Sequence, residues 1–360
     1  MAIDTAKLGS LGEAYNLLLD ADAFFKVNLT TLNNSGATGG ALIAIDSDAQ
    51  TLTVLTTGKG VEAGQPHPQH IHGFAVADDG SVQNSVSPTL DQDADGDGVV
   101  ELAEAAGQYG PILLSLSDPQ GGEIPDFPTP AGDSFVQTTT YDLDTLNPDD
   151  LRLSEQITAD NLTAREIVLH GRSLDGSQGM GTEGEADGTP GYKAVLPIAS
   201  GEIFSVRSED VLTDLTDGRI AVSNDIVALD IQGNAGQAYR LYEAVLGRMP
   251  DQQGLTFWVD RLDGGEGLVN VADALLNSDE FTANFGDNDM LSDDAFVDVM
   301  YQNVLGRDAD ASGEAYWTGV LDDGTSRAKV LASFSESDEN QMAVLGQIEN
   351  GILLDATVVA

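Results

Sequence analysis

Between residues 23 and 205 apolar residues fall on alternate positions in short runs: "FFKVNLTTL", "GGALIAIDS", "QTLTVLTTG", "QHIHGFAVA", "GPILLSLS", "REIVLHG" and "YKAVLPIASGEI". The runs are rich in β-branched residues and end at Gly, Asp, Asn or Pro, the pattern of strands in an antiparallel sandwich or barrel. From residue 237 onward the period changes. "GQAYRLYEAVLGR" and "DDAFVDVMYQNVLGR" place apolar residues at i, i+3, i+4 and i+7, which predicts amphipathic helices. The stretch between, 206–236, reads as a connector with room for one or two strands. The expected fold class is multidomain, β then α. It comprises an N-terminal segment (1–22), an antiparallel β-sandwich (23–205), the connector, an all-helical domain (237–345) and a C-terminal tail (346–360). A chain of 360 residues suits two domains better than one.

The helical half repeats itself. A shift of 59 residues aligns Tyr242 with Tyr301, Leu246 with Leu305, Gly247 with Gly306, Arg248 with Arg307, Gly254 with Gly313 and Trp258 with Trp317. Ser278-Asp279-Glu280 falls on Ser337-Asp338-Glu339 without a gap. Trp258 and Trp317 are expected as core plugs where helices of one unit cross, each with a preceding glycine that lets the backbone turn. Stacking on a ligand is their alternative role. "YRLYEAVLGRMPDQQGLTFWVDRL" and "VMYQNVLGRDADASGEAYWTGVL" resemble the YxxxLGRxxDxxGxxxW repeat of a helical domain of unknown function. That domain is widespread in secreted and surface bacterial proteins, often beside RTX-type calcium repeats. The resemblance implies location and contact with surface proteins, polysaccharide or further copies of the chain. It implies no reaction.

Composition narrows the partners. The chain carries 15 Lys+Arg against 60 Asp+Glu, a net charge of −45. Binding to a phosphate backbone draws on counterions released by cationic side chains, so nucleic acid and anionic membranes are poor partners. Cations are good ones, because this surface concentrates them and they relieve its self-repulsion; an acidic solubility coat is the alternative account. With no cysteine in the chain, disulfides, thiolate metal sites and cysteine nucleophiles are excluded. No run approaches the ~20 apolar residues of a transmembrane helix. The N-terminus lacks the basic and apolar regions of a Sec signal peptide. The C-terminal "GILLDATVVA" resembles the uncleaved C-terminal address of type I secretion substrates. That resemblance implies a bacterial extracellular or cell-surface protein exported without an N-terminal signal.

Two constellations carry chemistry. "DADGDGVVELAE", residues 93–104, fits an EF-hand-like calcium loop, which needs oxygen ligands at positions 1, 3, 5, 7, 9 and 12 and glycine at 6. Asp93, Asp95 and Asp97 take positions 1, 3 and 5, and Gly98 takes position 6. The Val99 carbonyl, Glu101 and Glu104 take 7, 9 and 12. Counting from Asp91 puts Leu102 at 12 and fails. A lone loop points to structural calcium rather than a sensor, with an ion-free acidic turn as the alternative.

The second constellation is "PHPQHIHGF", residues 66–74, which holds three of the four histidines. Alternate residues of a strand share a face, so His70 and His72 can chelate one ion. His67 lies beyond Pro68 and its direction is unreadable. His170 ends the run "AREIVLHG". Two histidines from one strand and one from another is how β-sandwich copper or zinc sites are made. His70, His72 and His170, with His67 as a further candidate, are therefore the expected ligands. Histidines that only hydrogen-bond within the core are the alternative.

The same residues carry a resemblance. "QHIHGF" looks like the HxHxF strand of copper-zinc superoxide dismutases, "AREIVLHG" like their RxxVVH strand, and "LPIASGEI" like their closing strand. Dismutase-like chordin-type (CHRD) domains of bacterial secreted proteins are nearer in pattern, sharing the HxHG strand and the "GYxAxLPxAxGEI" ending. The resemblance covers about 23–205 and implies a Greek-key, dismutase-like sandwich in which His70, His72 and His170 hold copper. The departures are informative. No histidine lies between His72 and His170, so the bridging ligand and a histidine zinc site are missing. Ser200 stands where the dismutase closing strand has a disulfide cysteine. The net charge opposes steering of superoxide, and Arg172 is the only nearby cation to guide it. The expected function is non-catalytic: a calcium-stabilised adhesion, matrix or surface-layer protein with a histidine site for copper or zinc. A copper-only dismutase-like enzyme and an extracellular copper or zinc capture protein are the rivals.

Overall fold

In a computed structural model of the protein the described residues are 11–117, 126–145, 151–179 and 184–356. The first ten residues of the expected N-terminal segment and the last four of the expected tail lie outside them. The chain forms two compact units, divided between Val227 and Ala228.

The first unit is built on eight strands: β1 (Ala23–Thr31), β2 (Thr38–Asp46), β3 (Thr51–Lys59), β4 (Gln69–His72), β5 (Ile112–Ser115), β6 (Ser134–Asp142), β7 (Glu166–Leu174) and β8 (Gly191–Val206). All their pairings are antiparallel, in the order β5-β4-β7-β8-β1-β2-β3-β6. The non-sequential neighbours β3–β6, β4–β7 and β8–β1 are Greek-key crossovers. The expected antiparallel β architecture is present, with its two halves carried by one curled sheet. β8 makes the join: its first part pairs with β7 and its end, from Ala199 to Val206, with β1.

Seven strands are the seven alternating runs. The eighth, β6 ("SFVQTTTYD"), was not expected. It is an edge strand bonded only to β3, so Thr and Gln fill positions that a strand covered on both sides gives to apolar residues. The core takes one side of each strand, with Val27, Ile43, Leu52, Ile71, Ile167, Leu169 and Ile198 in one cluster.

Four helices flank the sheet: α1 (Leu11–Asp20), α2 (Leu102–Tyr109), α3 (Leu153–Gln156) and α4 (Ser208–Asp217). The connector, expected to hold one or two strands, holds α4 and two, β9 (Arg219–Val222) and β10 (Asp225–Ala228). α4 escaped notice because its buried side is a single i, i+4 pair, Val211 and Leu215. Asp225 anchors the connector by accepting from Thr57 Oγ1 at 2.7 Å and pairing with Lys59.

The second unit contains α5 (Asn234–Leu246), α6 (Gln252–Asp263), α7 (Leu268–Leu276) and α8 (Asp279–Phe285). The same set returns 59 residues later as α9 (Asp293–Leu305), α10 (Ala311–Asp322), α11 (Arg327–Ser335) and α12 (Asp338–Ile348). The repeat motif is a set of helix ends. Gly247 and Gly306 adopt left-handed φ values of 64° and 60° just past α5 and α9, where glycine costs least. Arg248 then reaches Glu280 and the Tyr242 hydroxyl, and Asp251 caps α6 by accepting from the Gly254 N–H. Arg307, Glu339 and Asp310 repeat the arrangement.

The glycines before the tryptophans therefore do not turn the backbone; they sit in the first turn of a helix. A Cβ on Gly313 would lie 2.0 Å from the Tyr301 hydroxyl, so close approach selects glycine there. Neither tryptophan is a fully buried plug. Trp258 lies half-buried against Phe257 and Arg261, and Trp317 against Tyr316 and Phe334. The tail is folded as far as it is described. β11 (Ile352–Asp355) buries Ile352 and Leu354, and its Asp355 N–H donates to Thr256 Oγ1 of α6 at 2.8 Å.

Candidate metal centre

Strand alternation puts Ile71 in the core and turns His70 and His72 to the opposite side of β4. β7 runs beside β4 with Val168 opposite His70 and Glu166 opposite His72, so these residues share that side. The register of β7 against β8 slips at His170, and Gly171 adopts φ +102°. Alternation along β7 keeps His170 on the side of Glu166 and Val168 and so beside the pair, while the extra residue of the bulge lies in β8. A Cβ on Gly171 would meet the Tyr192 hydroxyl at 2.0 Å, so the bulge needs glycine on both counts.

One nitrogen from each of His70, His72 and His170 lies within 4.8 Å of the other two, and all three residues are buried. Two of the three have their outer nitrogen held by the backbone. His72 Nδ1 faces the Gly110 carbonyl at 2.9 Å and His170 Nδ1 faces the Val195 carbonyl at 2.7 Å. A carbonyl accepts, so each Nδ1 carries the proton and each Nε2 presents a lone pair. His72 Nε2, His170 Nε2 and His70 Nδ1 are buried with no hydrogen-bond partner among the described residues. Three orphaned buried ring nitrogens are costly by about 1–3 kcal/mol each unless something fills the space between them. A cation that accepts three neutral imidazoles fits; copper and zinc are the common ones.

Burial sets the charge state. It pushes His72 down to about 4 and His170 to about 3, and puts His70 well below the ordinary histidine value, with the neighbouring imidazoles adding to the shift for His70 and His170. The three are neutral at neutral pH, the form that binds metal. Glu166, fully buried beside His72, is pushed up to about 7 by burial; its Oε1 accepts from Ser87 while Oε2 has no partner among the described residues.

α2 lies over this side of the sheet. Its last residue, Tyr109, packs its ring 4.4 Å from that of His72 and touches Val168. Phe127 stands 5.8 Å from His70. The acidic loop runs directly into α2. Asp93, Asp95 and Glu104 bring carboxylate oxygens within 4.8 Å of one another. Burial, and then the charges of Asp95, Asp93 and Glu104, raise the Asp97 carboxyl, whose Oδ2 is buried without a partner among the described residues.

Of the six residues expected on calcium, the structure gathers the carboxylates of Asp93, Asp95 and Glu104, and the Asp97 N–H donates to Asp93 Oδ1 and Asp95 Oδ1. Val99 is buried beside them and donates its N–H to Asp97 Oδ1 at 2.8 Å. Glu101 is the departure: its carboxylate turns away to accept the Ala186 N–H at 2.5 Å. His67 departs as well. Its ring nitrogens face the carbonyls of Glu62 and His170, at 3.0 and 3.2 Å, so it braces the strand that carries His170 and does not join the three. Arg172 donates to the Asn33 carbonyl. Sequence reasoning missed Tyr109, Phe127 and the Gly110 and Val195 carbonyls. None has a local signal: Tyr109 and Gly110 come from the end of α2, Phe127 from the segment before β6 and Val195 from β8.

The family model described as a domain of unknown function, DUF4214, matches residues 234–285 and again 272–344, and so falls on the helical unit and its repeat. No curated protein matches the chain. Among the described residues no helix is long and apolar enough to cross a membrane.

Proposed function

We propose that the first unit binds one copper or zinc ion on His70, His72 and His170. On this reading the chain works outside a bacterial cell as a calcium-stabilised structural or interaction protein rather than an enzyme. The observation that carries the proposal is the set of three buried, neutral, unpartnered imidazole nitrogens facing one another. A bound ion would polarise its ligands and cross-link β4 to β7, which is a stabilising role in itself. The net charge of −45 supports calcium at the 93–104 loop, as in a compartment rich in that ion, and argues against an anionic substrate. Resemblance of the β4 and β7 strands to dismutase-like CHRD domains supports the ligand set. The helical unit is the contact module of this reading.

Elemental analysis of the purified chain after exposure to copper or zinc tests the proposal. One equivalent in the wild type and none in a His70→Ala/His72→Ala variant is the expected result. Metal retained by the variant, or none in either protein, refutes it. The dismutase rival uses the same three ligands; superoxide consumption by the copper-loaded chain above that of the double variant would establish it instead.

A further inference from the structure

We propose that Tyr109 is a fourth member of the metal centre, its phenol oxygen supplying an oxygen donor beside the three imidazoles. This rests on the metal-binding reading above. Three donors leave a tetrahedral ion one position for a further ligand. His67 is held by two carbonyls. Among the described residues no carboxylate belongs to the histidine cluster. Tyr109 is different. It has no exposed surface, its hydroxyl has no hydrogen-bond partner among the described residues, and its ring is the one packed against His72. A buried tyrosine hydroxyl normally finds a partner, and this orphan belongs to the ring packed against a histidine whose Nε2 is itself orphaned.

The backbone supports the placement. The Tyr109 carbonyl accepts from Ser85 Oγ at 3.0 Å, and the next carbonyl, Gly110, holds His72 Nδ1. The segment that orients a ligand histidine therefore also delivers the phenol. When the O–metal bond forms, the O–H bond breaks and the proton leaves to solvent.

Copper(II) and zinc titrations of wild type and Tyr109→Phe test this. The expected wild-type copper(II) form shows a phenolate-to-copper charge-transfer band in the visible, which Tyr109→Phe lacks while still binding one equivalent. Zinc affinity falls roughly tenfold in the variant. The metal-free variant should melt no lower than wild type, because the hydroxyl has no partner to lose; this separates ligation from misfolding. One equivalent of copper without that band, or a band that survives Tyr109→Phe, overturns the proposal. A wild type that binds neither metal overturns the metal-binding reading first and this one with it.

Discussion

Glu166 offers the most quantitative test of how the β unit is built. Its carboxyl is fully buried and held up to about 7, against an ordinary value of 4.5. The folded chain therefore holds this proton more tightly than the unfolded chain. The stability Glu166 contributes is complete below the unfolded value and is lost as pH rises through about 7. At about 1.36 kcal/mol per unit, the loss between pH 5 and pH 8 is on the order of 3 kcal/mol. Glu166→Gln keeps the shape and an acceptor for Ser87 but cannot ionise. Urea unfolding of both proteins in chelator, at pH 5 and at pH 8, gives four stabilities. The variant's advantage over wild type should grow by about 3 kcal/mol from the lower to the higher pH. The histidines titrate in both proteins and cancel in this double difference. A double difference near zero would mean that the carboxyl ionises freely in the fold, and the account of a dry, polar-lined strand face would fail.

Three further outcomes follow from particular contacts. Asn33 donates to the Val100 and Pro197 carbonyls and accepts the Val100 N–H, so Asn33→Gly, which keeps its left-handed backbone, should cost about 2–3 kcal/mol in urea unfolding; a loss under about 0.5 kcal/mol would show that these bonds do not hold the acidic loop to β8. In the helical unit Arg240 is buried and pairs with the more exposed Glu336, so Glu336→Ala, which strands a buried cation, should destabilise by about 3–5 kcal/mol and Arg240→Met by less, with the reverse order in thermal melts refuting that reasoning. Calcium chelation should lower the melting temperature, and an Asp93→Asn/Glu104→Gln variant should lose the response; a melting temperature indifferent to chelator would remove calcium from the 93–104 loop.

The sequence by itself determined the elements that repeat a local period. Alternating apolar residues specified seven strands because each has one side in the core, and the 59-residue repeat specified paired helix sets because Gly, Arg and Asp recur at helix ends. The pairing of His70 with His72 was legible for the same reason: two residues apart on a strand is one face. What only the tertiary structure decided lies where distant segments meet. β6 is an edge strand without a strong apolar alternation, and α4 buries too little to show a period. His67 is adjacent in sequence yet faces two carbonyls, while His170 joins from a neighbouring strand nearly a hundred residues on. Glu101 satisfies a loop pattern in sequence but finds a backbone N–H at Ala186 first. Tyr109 reaches His72 because α2 folds back over the sheet, and a contact across that distance in sequence leaves no mark in any local pattern.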